Sequence, residues 1–69
     1  MNICFSNRLK QLRIDAKLKQ SELATALSTT QRKISYLESG TIEPDLETLW
    51  KICDFFDVSV DFMIGRKEY

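Results

Sequence analysis

Several residue types that mark enzymes are scarce or absent in this 69-residue sequence. It contains no histidine, two cysteines and two glycines, and its two cysteines, Cys4 and Cys53, match no metal-binding or redox spacing. It also has no glycine-rich loop that could hold a phosphate and no cluster of metal-ligating residues. We therefore expect neither an enzyme nor a metal site nor a cofactor. We interpret the cysteines as reduced thiols, with a disulfide as the less favoured alternative.

Targeting signals and a net charge are also missing. No apolar run approaches the length of a membrane span, and the N-terminus lacks a basic flank followed by an apolar stretch, so we expect a cytoplasmic protein without membrane contact. Residues 1–36 hold seven basic residues against two acidic ones, whereas residues 37–69 hold three against eight. This asymmetry is typical of a chain with an interaction surface. On charge alone, two solvated surfaces that differ remain the simpler explanation.

Apolar residues recur at spacings of three and four and never alternate over the length of a strand, which predicts an all-α fold. We expect five helices, at about residues 4–16, 20–27, 31–39 and 46–56, with a short final turn after residue 59. The apolar stripe of the first helix consists of Phe5, Leu9, Leu12 and Ala16. With no linker and no internal repeat, residues 1–69 are interpreted as a single domain.

Polar and glycine residues predict where these helices begin and end. Thr30, Asp45 and Ser59 are good N-caps, because their side chains can accept a hydrogen bond from a free backbone N–H. Gly40 and Gly65 fit the left-handed position after a helix. Apolar residues cover most of the circumference of the fourth helix, so we expect it to be buried on more than one side.

The segment from residue 19 to residue 40 predicts a helix-turn-helix, because three residues alone join two helices of about eight residues. Ile34 and Leu37 of the second of these helices face the predicted core, which leaves Gln31, Arg32 and Tyr36 outside. Glutamine can pair with adenine and arginine with guanine in the major groove of DNA. For three residues taken alone, an ordinary solvated face remains the alternative.

A longer pattern resembles the lambdoid phage repressor and Cro (XRE-type) family. It comprises Gln20-Ser21-Glu22-Leu23-Ala24, Leu27, Thr29-Thr30-Gln31, Ile34, Leu37-Glu38, Gly40, Pro44, Leu46-Glu47-Thr48-Leu49 and Val58-Ser59-Val60-Asp61. The resemblance covers about residues 5–65. It implies a compact five-helix, lambda-repressor-like domain with the helix-turn-helix in its second and third helices. It also implies a transcriptional repressor that binds a palindromic operator in double-stranded DNA as a homodimer.

The resemblance also implies roles for individual residues. Its base-reading positions fall on Gln31, Arg32 and Tyr36, and its phosphate-binding glutamine falls on Gln20. Three basic or hydroxyl side chains next to these positions are further candidate phosphate contacts: Lys19, Thr30 and Lys33. Arg8 and Lys10 on the first helix are weaker candidates.

A charged pair is implied between the first and third helices. Glu38 lies in the last turn of its helix, where a negative charge opposes the macrodipole. The family places an arginine against this glutamate, and Arg13 matches that position, so we expect a structural ion pair. Two positions depart from the family pattern: Ser28 stands where glycine is common in the turn, and Lys19 stands where an N-cap residue is usual.

Two further expectations concern partners. Phe62 and Ile64 are predicted to form a two-fold dimer contact, with packing under the first helix as the simpler alternative. No pocket or sensor domain for a small-molecule ligand is evident. The second candidate function is a protein-interaction module on the same scaffold, such as an antitoxin-like protein that binds a partner.

Overall fold

The computed structural model describes residues 4–68, and within that range it contains five helices and no strand. The helices are α1 (Phe5–Asp15), α2 (Gln20–Ala26), α3 (Gln31–Ser39), α4 (Leu46–Phe56) and α5 (Val60–Met63). The all-α, five-helix prediction is confirmed, and the helix ends lie within one residue of their expected positions. None of the helices in the described range is long and apolar enough to span a membrane.

Each predicted helix cap is confirmed. The side chain of each N-cap accepts a hydrogen bond from the backbone N–H three residues later, at 3.1 Å for Thr30, 2.8 Å for Asp45 and 3.0 Å for Ser59. Gly40 and Gly65 follow their helices with φ of +80° and +85°. These local hydrogen bonds and left-handed glycines thus set where the short helices begin and end.

Three other residues take the left-handed conformation without being glycine. Lys17 lies two residues after the end of α1 with φ of 60°, Ser28 lies in the turn between α2 and α3 with φ of 57°, and Asp57 directly follows α4 with φ of 55°. A residue with a Cβ pays about 1–2 kcal/mol for this conformation. The turn of the helix-turn-helix is therefore strained at Ser28, where the family commonly has glycine.

The core lies where α3 packs against α1 and α2, and where α5 packs against α1 and α4. Its six largest fully buried side chains come from all five helices: Leu9, Leu23, Ile34, Leu37, Ile52 and Met63. The predicted stripe of α1 is correct for Phe5 and Leu9, which are buried, and for the half-buried Leu12. Ala16 is exposed and was wrongly included, because α1 ends one residue before it.

The prediction that α4 is buried on more than one side is wrong. Ile52 and Cys53 are buried, but Leu46 is 85%, Trp50 65% and Phe55 45% exposed. A chain of this size has too few elements to surround a helix, so α4 lies at the surface with only one side against the core. Three charged residues within α4 could have indicated its exposed side, since they are exposed or half-buried: Glu47, Lys51 and Asp54.

Arg8 fastens the C-terminal residues to α1. Its guanidinium donates hydrogen bonds to the carbonyl oxygens of Phe62 at 2.8 Å and Lys67 at 3.0 Å, and it lies 3.3 Å from the Glu68 carboxylate. The same guanidinium lies 4.3 Å from the centre of the Phe62 ring. Arg8 is thus committed to an intramolecular role that its sequence position did not suggest.

Candidate nucleic-acid interface

The third helix has a fully buried side and a polar outer side. Ile34 and Leu37 are completely inaccessible to solvent, whereas Gln31 and Arg32 are exposed and Tyr36 is 42% exposed. Arg32 and Tyr36 are four residues apart and so lie one turn apart on the same face. Gln31, the first residue of α3, is exposed beside Arg32, so all three predicted base-reading side chains are open to solvent on the first two turns of α3.

A buried ion pair links this helix to α1. The Arg13 Nε lies 2.6 Å from Glu38 Oε2 and its Nη2 lies 3.1 Å from Oε1, so the contact is bidentate. The Glu38 side chain is 4% and the Arg13 side chain 13% exposed. A third bond, from Arg13 Nη1 to the Leu18 carbonyl oxygen at 2.8 Å, includes the loop between α1 and α2. One guanidinium thus spans α1, the following loop and α3.

Gln20 joins the same cluster from the start of α2. Its Nε2 donates to Glu38 Oε1 at 3.2 Å and leaves one N–H of the amide for another partner. This bond holds the Gln20 side chain at the N-terminal end of α2, the place from which a phosphate contact is predicted. Lys19 precedes it with an exposed side chain.

The backbone N–H of Lys19 is already occupied at this helix start. It donates to the Glu22 carboxylate at 2.7 Å, which is half of a capping box. The lysine side chain has no acceptor and cannot complete the box. Glu22 thereby compensates for the absent N-cap side chain, and it also places a negative charge near the predicted phosphate position.

Thr30 and Lys33 lie at the start of α3 but point to different partners. Thr30 uses a lone pair of its hydroxyl to cap the helix, which leaves the hydroxyl proton available for a phosphate oxygen. Lys33 is half-buried, and its Nζ donates to Thr48 Oγ1 of α4 at 3.1 Å. The structure therefore places Lys33 on the flank of α3 that meets α4, whereas the other predicted DNA-contacting residues lie on the outer side or at the helix starts.

The capping carboxylate of α4 is electrostatically coupled to this flank. Hydrogen bonds from Thr48, its side chain first and its backbone second, lower the pKa of Asp45 below its usual 3.8, and the charge of Lys33 acts in the same direction. Asp45 is therefore held in the charged form that caps α4 best.

The predicted dimer contacts are both half-buried in the isolated chain. Phe62 lies beneath the Arg8 guanidinium, and Ile64 follows the end of α5. The most exposed aromatic residue of the described range is Trp50, on the helix that was predicted to be buried on more than one side.

Comparisons with known proteins agree with this geometry. A helix-turn-helix family model matches residues 9–63. The chain is 38% identical over 64 residues to the transcriptional activator BcrR of Enterococcus faecalis, covering 93% of this chain and 31% of BcrR. It is 30% identical over 64 residues to the phage CTXphi transcriptional repressor RstR of Vibrio cholerae, covering 93% of this chain and 58% of RstR. The chain thus spans about a third to somewhat over half of these relatives.

Solved structures show the same fold. The N-terminal DNA binding domain of SinR from Bacillus subtilis superposes with a TM-score of 0.82 at 27% identity, covering 96% of this chain and 97% of that domain. The P22 c2 repressor, solved in complex with a synthetic operator, gives a TM-score of 0.86 at 21% identity, covering 97% of this chain and all of that chain. The relatives are named as regulators of transcription, in agreement with the expectation that this chain is not an enzyme. The chain belongs to the XRE-type helix-turn-helix family of DNA-binding domains, the family of the phage repressors.

Proposed function

We propose that this chain is the DNA-binding domain of a transcriptional repressor that acts in the cytoplasm and binds a palindromic operator in double-stranded DNA as a homodimer. The observation that carries the proposal is the two-sided character of α3. Its inner side is fixed by completely buried Ile34 and Leu37, and its outer side presents Gln31, Arg32 and Tyr36 to solvent. A rigid helix with such an outer side fits the major groove.

Arg32 is the proposed specificity residue, reading a guanine through its paired N–H donors, with Gln31 suited to an adenine. Tyr36, one turn further, offers its ring to a thymine methyl group and its hydroxyl to a base edge. Gln20, Lys19 and Thr30 are the proposed phosphate contacts, and they set the orientation of α3 without reading sequence. Lys33 joins these phosphate contacts only if its Nζ leaves the Thr48 hydroxyl and binds a phosphate oxygen instead.

The homodimer follows from the size of the reading surface. One recognition helix reads only a few base pairs, and a dimer doubles the site by placing two helices about 34 Å apart, one turn of DNA. A palindromic operator mirrors the two-fold symmetry of such a dimer.

The proposal is tested by selecting bound duplexes from a random library and measuring the affinity of the selected duplex by fluorescence anisotropy. Arg32→Ala should weaken binding to the selected duplex by about 1–3 kcal/mol and relax the preference at one base position. Arg66→Ala, which removes the same charge from an exposed arginine after α5, is the matched control and should retain the preference.

Two results would contradict the proposal. One is a library selection that returns no enriched sequence, and the other is equal loss of affinity in the Arg32 and Arg66 variants. Equal loss would mean that the arginines act only through their charge, as in non-specific binding.

A protein-interaction module remains the second candidate, and the exposed apolar residues of α4 are the observation in its favour. Such a module would bind its partner whether or not Arg32 is present, and it would give no enriched duplex. DNA binding that falls with rising salt, with a slope of about −0.9 per phosphate neutralised, favours the first function.

A further inference from the structure

A polar contact connects α3 to α4 beside the turn of the helix-turn-helix. Lys33 is half-buried, and its Nζ donates a hydrogen bond to Thr48 Oγ1 at 3.1 Å. Lysine side chains at a protein surface ordinarily keep the ammonium group in water. The Lys33 ammonium instead lies along the flank of α3 and is directed at α4.

The hydroxyl of Thr48 is oriented by the carboxylate of Asp45. Asp45 Oδ1 accepts a hydrogen bond from the backbone N–H of Thr48 at 2.8 Å, and the Thr48 hydroxyl donates to the same carboxylate. A hydroxyl has one proton, so the proton that binds Asp45 leaves the oxygen lone pairs to accept from Lys33. The three side chains therefore form a directed chain of hydrogen bonds, which we call the Lys33–Thr48–Asp45 network.

The network also brings two opposite charges together. Hydrogen bonds from Thr48 lower the pKa of Asp45 below its usual 3.8, and the nearby charge of Lys33 lowers it further. A Coulomb interaction is mutual, so the carboxylate attracts the ammonium as strongly as the ammonium attracts the carboxylate. The positive charge of Lys33 is therefore partly balanced by an anion of the same chain.

A cleft beside the network gives the lysine room to move. Lys33 and Thr48 line this cleft together with Ser28 and Thr29 of the turn. The stem of a lysine is a flexible carbon chain, so the ammonium can swing away from Thr48 through this space without a movement of the backbone. The Lys33 side chain thus has two alternative positions, one on Thr48 and one in the solvent beside the helix-turn-helix.

A DNA phosphate beside this cleft would compete with Thr48 for the ammonium. Thr30, one of the proposed phosphate contacts, caps α3 by accepting a hydrogen bond from the Lys33 backbone N–H at 3.1 Å. Lys33 therefore lies within one turn of a residue that is proposed to bind DNA. A lysine that contacts a phosphate releases a counterion and makes the salt slope steeper by about 0.9. A lysine that stays on Thr48 contributes less to that slope, because its charge is already balanced.

We propose that Thr48 and Asp45 limit the affinity of this domain for DNA by holding Lys33 away from the phosphate backbone. They are positioning residues, because they act on Lys33 and the lysine contacts a phosphate once its bond to Thr48 is broken. The inference rests on the proposed function, since it concerns a phosphate contact of the same DNA-binding surface. Its distinctive consequence is a gain of DNA affinity on removal of a hydrogen bond that the folded chain contains.

The test measures the DNA affinity of Thr48→Val by fluorescence anisotropy at about 50 and about 200 mM salt. Valine resembles threonine in shape but lacks the hydroxyl, and its backbone N–H can still donate to the Asp45 cap. Thr48→Val should bind DNA more tightly than the unsubstituted chain, with a salt slope that is steeper by about 0.9. The affinity ratio of the two proteins should then increase about 3.5-fold as salt is lowered from about 200 to about 50 mM.

Asp45→Asn offers a second way to release the lysine. Asparagine can still cap α4, but it carries no charge that attracts the ammonium. Removal of any negative charge near DNA raises affinity, so Glu43→Gln, at an exposed position two residues earlier, is the matched control. Each substitution is also combined with Lys33→Met, which removes the ammonium. The gain from Thr48→Val should then disappear and that from Asp45→Asn should shrink, whereas Glu43→Gln should give the same gain with and without Lys33.

The measurements use an unrelated duplex as well as the selected one, because a phosphate contact does not depend on sequence. The inference is overturned if Thr48→Val leaves the salt slope unchanged, or if its gain persists in the Lys33→Met background. A chain that selects no duplex, but in which Thr48→Val steepens the slope on the unrelated duplex, would support the inference and overturn the proposed function. Circular dichroism verifies that each variant is folded. If Thr48→Val is unfolded, the comparison of Asp45→Asn with Glu43→Gln decides the inference alone.

Discussion

The α2–α3 pair and the α4–α5 pair are built alike, as two short helices with a tight turn between them, but their outer sides differ in chemistry. The outer side of α3 carries Gln31, Arg32 and Tyr36, whereas that of α4 carries Leu46 and Trp50 among acidic residues. Both pairs bury one apolar side in the same core. The comparison shows how one small scaffold offers a polar surface suited to base edges and a separate apolar surface suited to protein.

The two pairs are also held differently. The helix-turn-helix is tied to α1 by the buried contact of Arg13 with Glu38 and by Gln20, whereas α4 and α5 show no comparable buried ion pair among the described residues. The exposed pair of Glu47 and Lys51, at 3.9 Å, is the charged contact on α4. Variants at the charged contacts of each helix pair therefore test whether the α2–α3 pair and the α4–α5 pair also differ in the free energy that these contacts contribute.

The largest effect is expected from Glu38→Ala. The substitution leaves the Arg13 guanidinium largely buried without its carboxylate, and loss of one partner of a buried pair costs about 3–5 kcal/mol. Glu47→Ala removes an exposed partner and should cost less than about 1 kcal/mol. Urea denaturation followed by circular dichroism measures both. Equal unfolding midpoints for the two variants would show that the ion pair of Arg13 and Glu38 does not stabilise the helix-turn-helix.

A smaller effect, of opposite sign, is expected from Ser28→Gly in the turn between α2 and α3. Ser28 has φ of 57°, and glycine adopts this conformation without the Cβ penalty, so the free energy of unfolding should rise by roughly 1 kcal/mol. Ser21→Gly, at an exposed position within α2, should lower it by about 0.5 kcal/mol, because glycine has a lower helix propensity than serine. Thermal unfolding of the two glycine variants gives the comparison, and a destabilised Ser28→Gly would refute strain at this turn.

The smallest effect is expected at the start of α4, from Asp45→Asn. Asparagine can still cap the helix, but it cannot titrate. The folded-state pKa of Asp45 lies below its usual 3.8, so its charged form contributes stability above that value and the contribution is lost as the pH falls through the lowered pKa. The unsubstituted chain should therefore be the more stable of the two at pH 7, and the difference should shrink at pH 3. A difference that is constant between these pH values would contradict the role of the charge.

Helix boundaries and the identity of the polar side of α3 could be predicted from local signals. Thr30, Asp45 and Ser59 act through the backbone within three residues of themselves, so the sequence was sufficient to place them. The spacing of Ile34 and Leu37 determined which side of α3 turns inward, because a helix of fixed period admits one apolar side only. Ser28 was identified through the resemblance to the family, which commonly has glycine in this turn, and its φ of 57° agrees with that departure.

Contacts between distant residues required the tertiary structure. Arg8 could be placed on α1 from the sequence, but its bonds to residues 62 and 67 depend on how the chain returns to that helix. The exposure of Trp50 depends on how many other helices pack around α4, and the spacing of apolar residues carries no information on that number. The sequence alone thus determined the helices, their caps and the polar outer side of α3, since these depend on short-range periodicity and hydrogen bonding. The tertiary structure decided the side of α4 that remains open, because burial depends on the packing of elements far apart in the chain.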